Sequence, residues 1–163
     1  MAEFVLRTAA MTDLPALAAV EAECFPPEEA CTEEAFRRRL AVYADHFLLL
    51  LDGGRVIAFV DGFVTDTPDL TDEMYDRAEL HQPAGAWQMI FGVNTLPQYR
   101  RRGCAGKLLR AMIALAEQEG RKGLVLTCKE ALIPYYAGFG FVNEGVSQSV
   151  HGGVTWYQMR LTF

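Results

Sequence analysis

The sequence lacks any apolar run long enough to cross a membrane, and it does not begin with a positively charged leader of the secreted kind. We therefore expect a soluble, cytoplasmic protein with no membrane partner. Its four cysteines show no short paired spacing of the zinc or redox type. That pattern predicts free thiols in a reducing compartment and no metal site.

Basic residues are also too few for a protein that binds nucleic acid. The chain has 15 Lys and Arg against 21 Asp and Glu, which gives a net charge of −6. Duplex binding depends on neutralising phosphates with surplus positive charge, so we expect no nucleic-acid partner. The acidic surplus agrees with a cationic amine substrate, although most of these acids are expected simply to solvate outer faces.

The length and the order of predicted elements suit one mixed α/β domain that covers residues 1–163, without repeats or linkers. Capping signals at Thr12-Asp13 and Thr32 open two helices, and Asp52-Gly53-Gly54 predicts a hairpin. The predicted strands are residues 4–8, 46–51, 55–64, 88–95, 124–128, 141–146 and 154–161; helices are also predicted from Thr71, from about Cys104 to Gly120, and over 131–137.

The most informative stretch lies between the strand 88–95 and the amphipathic helix that follows it. Gly103, Ala105 and Gly106 have little or no side chain, so an anion can approach the unpaired N–H groups of the helix start closely. Arg100, Arg101 and Arg102 stand beside this turn. The pattern predicts a site for an anion, and a diphosphate suits it best. A solvated helix start is the alternative.

Two common phosphate-binding motifs are excluded here. A P-loop places four residues between its first glycine and Gly-Lys, but only Cys104 and Ala105 separate Gly103 from Gly106-Lys107. A dinucleotide fingerprint needs glycine at its first, third and sixth positions, and counting from Gly103 these read Gly, Ala and Leu.

Arg100-x-x-Gly103-x-Ala105 after a strand resembles the acetyl-coenzyme A motif of the GNAT superfamily of N-acetyltransferases. A second block, Leu-Ile-Pro-Tyr-Tyr-Ala-Gly-Phe-Gly-Phe over residues 132–141, is similar to a later block of the same superfamily. The version Cys-Lys-Glu-Ala-Leu-Ile-Pro at 128–134 is most similar to the arylalkylamine (serotonin) N-acetyltransferase branch.

This resemblance implies a central mixed sheet of about seven strands, splayed between the fourth and fifth, with helices on both faces. It also implies acetyl-coenzyme A as co-substrate, with the pantetheine arm along the fourth strand and the pyrophosphate on the turn. The implied coenzyme contacts are Val93, Asn94, Thr95, Arg100, Arg101, Arg102, Gly103, Cys104, Ala105, Gly106 and Tyr136.

Tyr136 is the candidate general acid for the departing thiolate. A phenol titrates at about 10, close enough to an alkyl thiol to exchange a proton with it. The resemblance places the matching tyrosine near the thioester sulfur, whereas an ordinary core tyrosine is the alternative. Cys104 and Cys128 are expected to be small core residues. Cys104 also stands at a helix N-terminus, a position that can lower a thiol pKa, but the family forms no covalent enzyme intermediate.

The general base is less clear because Met89 and Phe91 occupy the strand positions where the animal branch has two histidines. Either a water chain or another side chain must therefore accept the amine proton. The candidates are His151, His81, Asp61 and Glu144, and His151 leads because the last hairpin borders the acceptor site in this family.

Phe25 and Trp156 match family positions that sandwich an aromatic amine, with Met89 and Phe91 as further acceptor contacts. The leading hypothesis is acetyl transfer to the primary amine of a small molecule, for example an arylalkylamine, by a monomer or homodimer. The alternatives are an acetyltransferase for a polyamine, aminoglycoside, amino acid or protein N-terminus, a non-catalytic acyl-coenzyme A sensor, and a structural module.

Overall fold

The computed structural model describes residues 4–163. Over these residues it has α-helices α1 (Leu14–Cys24), α2 (Glu33–Tyr43), α3 (Asp72–Asp76), α4 (Cys104–Gln118) and α5 (Ile133–Ala137). The strands are β1 (Val5–Thr8), β2 (Phe47–Asp52), β3 (Arg55–Asp61), β4 (Val64–Thr65), β5 (Trp87–Ile90), β6 (Gly92–Thr95), β7 (Gly123–Cys128), β8 (Val142–Val146) and β9 (Tyr157–Thr162).

The strands form two sheets. One has the order β1-β2-β3-β6 and is antiparallel throughout. The other has the order β4-β5-β7-β9-β8, in which β5 and β7 are parallel and the remaining pairs antiparallel. The predicted mixed α/β class is confirmed. The strand expected over 88–95 is interrupted at Phe91, because its halves pair with different neighbours. The strand expected over 55–64 is also divided, into β3 and β4, so the seven predicted strands become nine.

The residues group into two compact units. The first comprises the chain up to Gly62 together with Gly92–Met112, and the second comprises Phe63–Phe91 with Ile113–Phe163. Each unit contains one of the two sheets. The assignment of residues 1–163 to a single domain stays a prediction.

The first unit is built on the hairpin β2–β3. Gly53 and Gly54 both adopt left-handed backbone, with φ of 56° and 86°, as a two-residue hairpin turn requires. The rings of Phe36, Phe47 and Phe59 are fully buried and meet edge to face or stacked, with centroids 5.7–6.5 Å apart. This aromatic core attaches helix α2 to the sheet.

Helix α2 begins where its sequence predicts, and a buried ion pair anchors it to the sheet. The Thr32 hydroxyl accepts the Ala35 N–H at 3.1 Å, which confirms the predicted cap. On the buried face, Arg39 Nη1 donates to Asp61 Oδ2 of β3 at 3.0 Å, with side chains only 5% and 2% exposed. A buried charge is tolerated only when it is paired, so this ion pair fixes α2 against β3.

The second unit has a core of fully buried side chains on β5, β7 and β9, among them Met89, Val125 and Met159. The predicted end of α4 at Gly120 is also confirmed. Gly120 has φ of 77°, its N–H donates to the Glu117 carbonyl at 3.0 Å, and the next N–H reaches the Ala116 carbonyl. The apolar face of the predicted amphipathic helix is buried: Leu108, Leu109 and Met112, on the part of α4 that belongs to the first unit, are fully buried.

None of the helices formed by residues 4–163 has the length and apolar character that a bilayer crossing needs.

Replacing Asp61 by Asn is expected to lower the free energy of unfolding by about 3–5 kcal/mol, because Arg39 would keep a buried charge without its partner. Urea unfolding followed by circular dichroism measures this loss. The control is Arg37→Ala on the same helix, whose ion pairs are about half exposed and should change stability by only about 0.5 kcal/mol or less. Equal losses in the two variants would contradict the role given to the buried pair.

Candidate functional site

The predicted anion turn lies between β6 and α4 in the first unit. Among non-glycine residues that the structure describes, only Arg101 has positive φ, at 64°, and Gly103 follows with φ of 76°. Alternation of ordinary and left-handed backbone turns successive N–H groups toward one point and forms an anion-binding concavity. The first-turn N–H groups of α4, from Cys104 to Gly106, have no carbonyl one turn earlier to receive them. Backbone donors therefore converge here.

The arginines of the turn are held in different ways. Arg100 Nε donates to the Thr95 carbonyl at 3.3 Å, so this side chain folds back onto the end of β6. Arg102 lies over the ring of Tyr99, 5.2 Å from its centroid. The three guanidinium groups add positive charge next to the backbone donors, which favours a polyanion such as a diphosphate.

Val93, Asn94 and Thr95, the residues predicted to contact the pantetheine arm, lie on strand β6. It lies at one end of its sheet, beside β3. The Leu96 N–H bonds the Ile57 carbonyl at 2.9 Å, so by antiparallel alternation the backbone of Asn94 faces β3 while Val93 and Thr95 face the outer edge. The Thr95 carbonyl accepts from Arg100 and from the Cys24 thiol. Val93 is therefore the position best placed to pair with an extended ligand.

The side chain of Asn94 has a different role from its predicted backbone contact. It is almost fully buried and donates from Nδ2 to Oε1 of Glu21 on α1. Oε2 of Glu21 accepts the Cys31 N–H at 2.8 Å. Burial raises the pKa of the Glu21 carboxyl, against the lowering effect of these hydrogen bonds. These bonds anchor α1 to β6 directly ahead of the anion turn.

The thiol of Cys104 does not behave as its helix position suggested. Cys104 is buried and its thiol donates to the Tyr99 carbonyl at 3.7 Å. Burial raises its pKa, and this outweighs the nearby charges of Arg102 and Lys107. The prediction that Cys104 is a small core residue is confirmed, whereas the helix terminus does not lower the pKa of the thiol, because it cannot offset the loss of solvation.

Five rings form a continuous aromatic cluster in the second unit. Its members are Phe63, Phe91, Tyr75, His151 and Trp156. Successive centroids lie 5.0, 4.9, 5.7 and 6.2 Å apart, and the rings of Tyr75 and His151 are parallel within 9°. The predicted residues Phe91, His151 and Trp156 thus come together. Met89 is fully buried in the core, and Phe25 is half-buried at the end of α1 in the first unit.

Tyr136 lies on the short helix α5 of the second unit and is 8% exposed. Its ring meets Tyr135 and Phe141 edge to face, with centroids 5.3 and 6.2 Å away. Burial raises the pKa of Tyr136 far above that of a free phenol, and the nearby Cys128, Tyr135 and Tyr75 add to the shift. Its hydroxyl therefore carries a proton at neutral pH, but burial also moves its pKa away from that of an alkyl thiol, with which it is predicted to exchange that proton.

Three of the four candidate bases are engaged in structural bonds. Asp61 is paired with Arg39. His81 accepts the Val64 N–H at Nδ1, 3.0 Å away. Glu144 accepts from Arg160 Nε at 2.9 Å, and this bond, followed by one from Gln158, lowers its pKa. His151 is the candidate base that lies in the aromatic cluster, beside Tyr75 and Trp156.

Two residues of this region escaped the sequence analysis, Asp72 and Tyr75 on α3. Tyr75 contributes a central ring of the aromatic cluster, and its hydroxyl lies 3.3 Å from Thr127 Oγ1. The carboxylate of Asp72 accepts from the Ser149 hydroxyl and from the Val150 N–H. The available signal was weak: an aromatic residue on a short predicted helix within a polar loop.

A search of residues 4–163 for three or more His, Cys, Asp or Glu side chains gathered around one point, as a metal ion requires, finds no such grouping.

Known proteins resemble this chain both in sequence and in fold. The serotonin N-acetyltransferase of Mesocricetus auratus is 28% identical over 164 residues, covering 88% of this chain and 78% of that protein. The loading GNATL domain of CurA from Lyngbya majuscula has a TM-score of 0.85 at 16% identity over 98% of both chains. A PaiA N-acetyltransferase from Thermoplasma acidophilum, solved with coenzyme A, has a TM-score of 0.74 at 14% identity over 99% of both chains.

The structural likenesses establish the fold, and the sequence match goes further. The pattern that describes the Acetyltransferase (GNAT) family matches residues 14–141, which is most of the chain and includes both the anion turn and Tyr136. This protein therefore belongs to the GNAT family of acetyltransferases, enzymes that use acetyl-coenzyme A as co-substrate.

Proposed function

We propose that this acetyltransferase, acting as a single domain, transfers the acetyl group of acetyl-coenzyme A to the primary amine of a small arylalkylamine. The aromatic cluster is the observation from which we infer the class of acceptor. Phe63 is fully buried, but the other four rings of the cluster are partly exposed. Flat ring faces suit an aromatic acceptor better than a flexible polyamine. The similarity to serotonin N-acetyltransferase supports the same class.

The coenzyme side of the proposal rests on the first unit. The diphosphate would be bound by the N–H groups of residues 101–106, and the pantetheine arm would pair with the outer edge of β6 at Val93. Both contacts are made by backbone, which explains how a chain this distant from its relatives retains the co-substrate.

The chemistry requires two proton movements. The acceptor ammonium must lose a proton before its nitrogen can attack the thioester carbonyl, and the departing thiolate must gain one. We assign the first step to His151 as general base and the second to the Tyr136 hydroxyl as general acid. Attack is direct, in a complex with both substrates, so no acetyl group is carried on the enzyme.

A panel of primary amines, assayed with acetyl-coenzyme A by release of free thiol, tests the function. We expect turnover, with arylalkylamines giving the highest kcat/KM. A best substrate among polyamines, aminoglycosides, amino acids or peptide N-termini would move the protein to the alternative acceptor class.

The same experiment includes coenzyme A binding, measured as a shift in melting temperature. Ligand at 100 times its Kd stabilises a fold by about 2.7 kcal/mol. A clear shift without turnover on any amine would indicate a non-catalytic sensor, whereas no shift at millimolar coenzyme A would indicate a structural module.

Replacing Tyr136 by Phe should lower kcat by about 100- to 10,000-fold, the range expected when a general acid is removed, while the coenzyme A thermal shift stays unchanged. Tyr135→Phe, one residue earlier on the same helix and 41% exposed, is the matched control and should retain wild-type kcat. If the two variants behave alike, Tyr136 is a packing residue and not the acid.

Replacing Trp156 by Ala should lower kcat/KM about fivefold for arylalkylamines, because an aromatic contact of about 1 kcal/mol beyond simple burial is lost, and much less for an alkylamine of similar length. Since Trp156 Nε1 also donates to the His151 carbonyl at 2.7 Å, Trp156→Phe separates the two effects by keeping the ring without the N–H. Equal losses for aryl and alkyl amines would favour a non-aromatic acceptor.

A further inference from the structure

Helix α3 makes contacts that the proposed chemistry does not use. Its first residue, Asp72, binds the segment 147–153, and its fourth, Tyr75, packs against a side chain of that segment. Both contacts converge on His151. Helix α3 therefore contacts the segment that contains His151, the residue assigned as general base in the proposed function.

The segment 147–153 has little apolar surface of its own to hold it. Val150 is 76% exposed, and Gly152 and Gly153 follow with left-handed φ of 65° and 68°. A segment without buried apolar contacts opens easily unless polar bonds hold it. Its position must therefore come from hydrogen bonds.

Asp72 supplies the hydrogen bonds that lead to His151. Its Oδ1 accepts the Ser149 hydroxyl, and its Oδ2 accepts the Val150 N–H at 2.9 Å. The Ser149 oxygen in turn accepts the His151 N–H at 3.3 Å. The carboxylate thus holds the backbone immediately before and at His151, and bonds to a charged acceptor are stronger than neutral ones.

The imidazole ring itself is oriented by its neighbours. Tyr75 lies parallel to it within 9°, with centroids 5.7 Å apart, and the Tyr75 hydroxyl is placed 3.3 Å from Thr127 Oγ1 of β7. In addition, Trp156 Nε1 donates a hydrogen bond to the His151 carbonyl. Backbone and ring of His151 are therefore set by separate contacts, two of which come from α3.

We propose that Asp72 and Tyr75 are positioning residues that fix the location and ring orientation of His151 for accepting the amine proton. The claim about position stands on the contacts above, and the claim about the proton rests on the proposed function. In this step one proton leaves the acceptor ammonium, binds the imidazole of His151, and passes to solvent after turnover.

Proton NMR tests the position of the His151 ring and does not require that the enzyme turn over a substrate. The chain has three histidines, so His→Gln variants assign each imidazole signal. The rings of Tyr75 and Trp156 should displace the His151 signals from those of a free imidazole. In Asp72→Ala and in Tyr75→Leu these signals should move toward the free value, with those of His46 and His81 unchanged. Asp72→Asn, which keeps one acceptor oxygen, should show a smaller movement.

The matched control is Asp76→Ala, at the exposed end of the same helix, which should leave the His151 signals in place. A His151 signal that does not move in Asp72→Ala, or that moves equally in Asp76→Ala, would overturn the proposal.

Activity tests the consequence. Asp72→Ala should lower kcat by about 10- to 100-fold, the cost of a misplaced catalytic group, with the KM for acetyl-coenzyme A unchanged, Asp72→Asn intermediate and Asp76→Ala like wild type. An unchanged kcat in Asp72→Ala would overturn the role in proton transfer. If no amine is acetylated by the wild type, the proposed function fails, while the NMR result still decides whether α3 positions His151.

Discussion

Residues 88–95 cannot form one continuous strand, because β5 pairs in parallel with β7 whereas β6 pairs antiparallel with β3. The break at Phe91 has two consequences. It leaves β6 with β3 as its neighbour in the sheet, so the outer backbone groups of Val93 and Thr95 are not used by strand pairing. It also turns Phe91 toward Phe63 and Tyr75.

The two units use different physical means for recognition. In the first, buried polar bonds from Arg39 to Asp61 and from Asn94 to Glu21 attach helices to strands, and the ligand-binding groups are backbone amides. In the second, rings in contact form the cluster, and a loop held by Asp72 carries His151. Backbone donors recognise a diphosphate whatever the side chains are, whereas ring contacts change with each substitution. The proposed function accordingly assigns the coenzyme to the first unit and the choice of acceptor to the second.

Predictions from sequence succeeded where the cause is local. The cap at Thr32, the glycines of the β2–β3 turn and the end of α4 at Gly120 were all predicted, since each depends on residues within one turn of the chain. They failed where distant residues meet: Asp72 and Ser149 are 77 positions apart, and no local pattern connects them. The pKa of Cys104 was misjudged for the same reason, because burial is a property of the packed unit and not of the helix start.

The sequence alone determined the mixed α/β class and the family, which follow from periodicity and from two motifs in the right order, and it predicted the anion turn from small residues at a helix start. Tertiary structure alone decided which side chains act together. It paired Asp61 with Arg39 and Glu144 with Arg160, and it brought Tyr75 to His151. The physical reason is that the reactivity of a side chain depends on its partners and its solvation, and both are set only when distant segments pack.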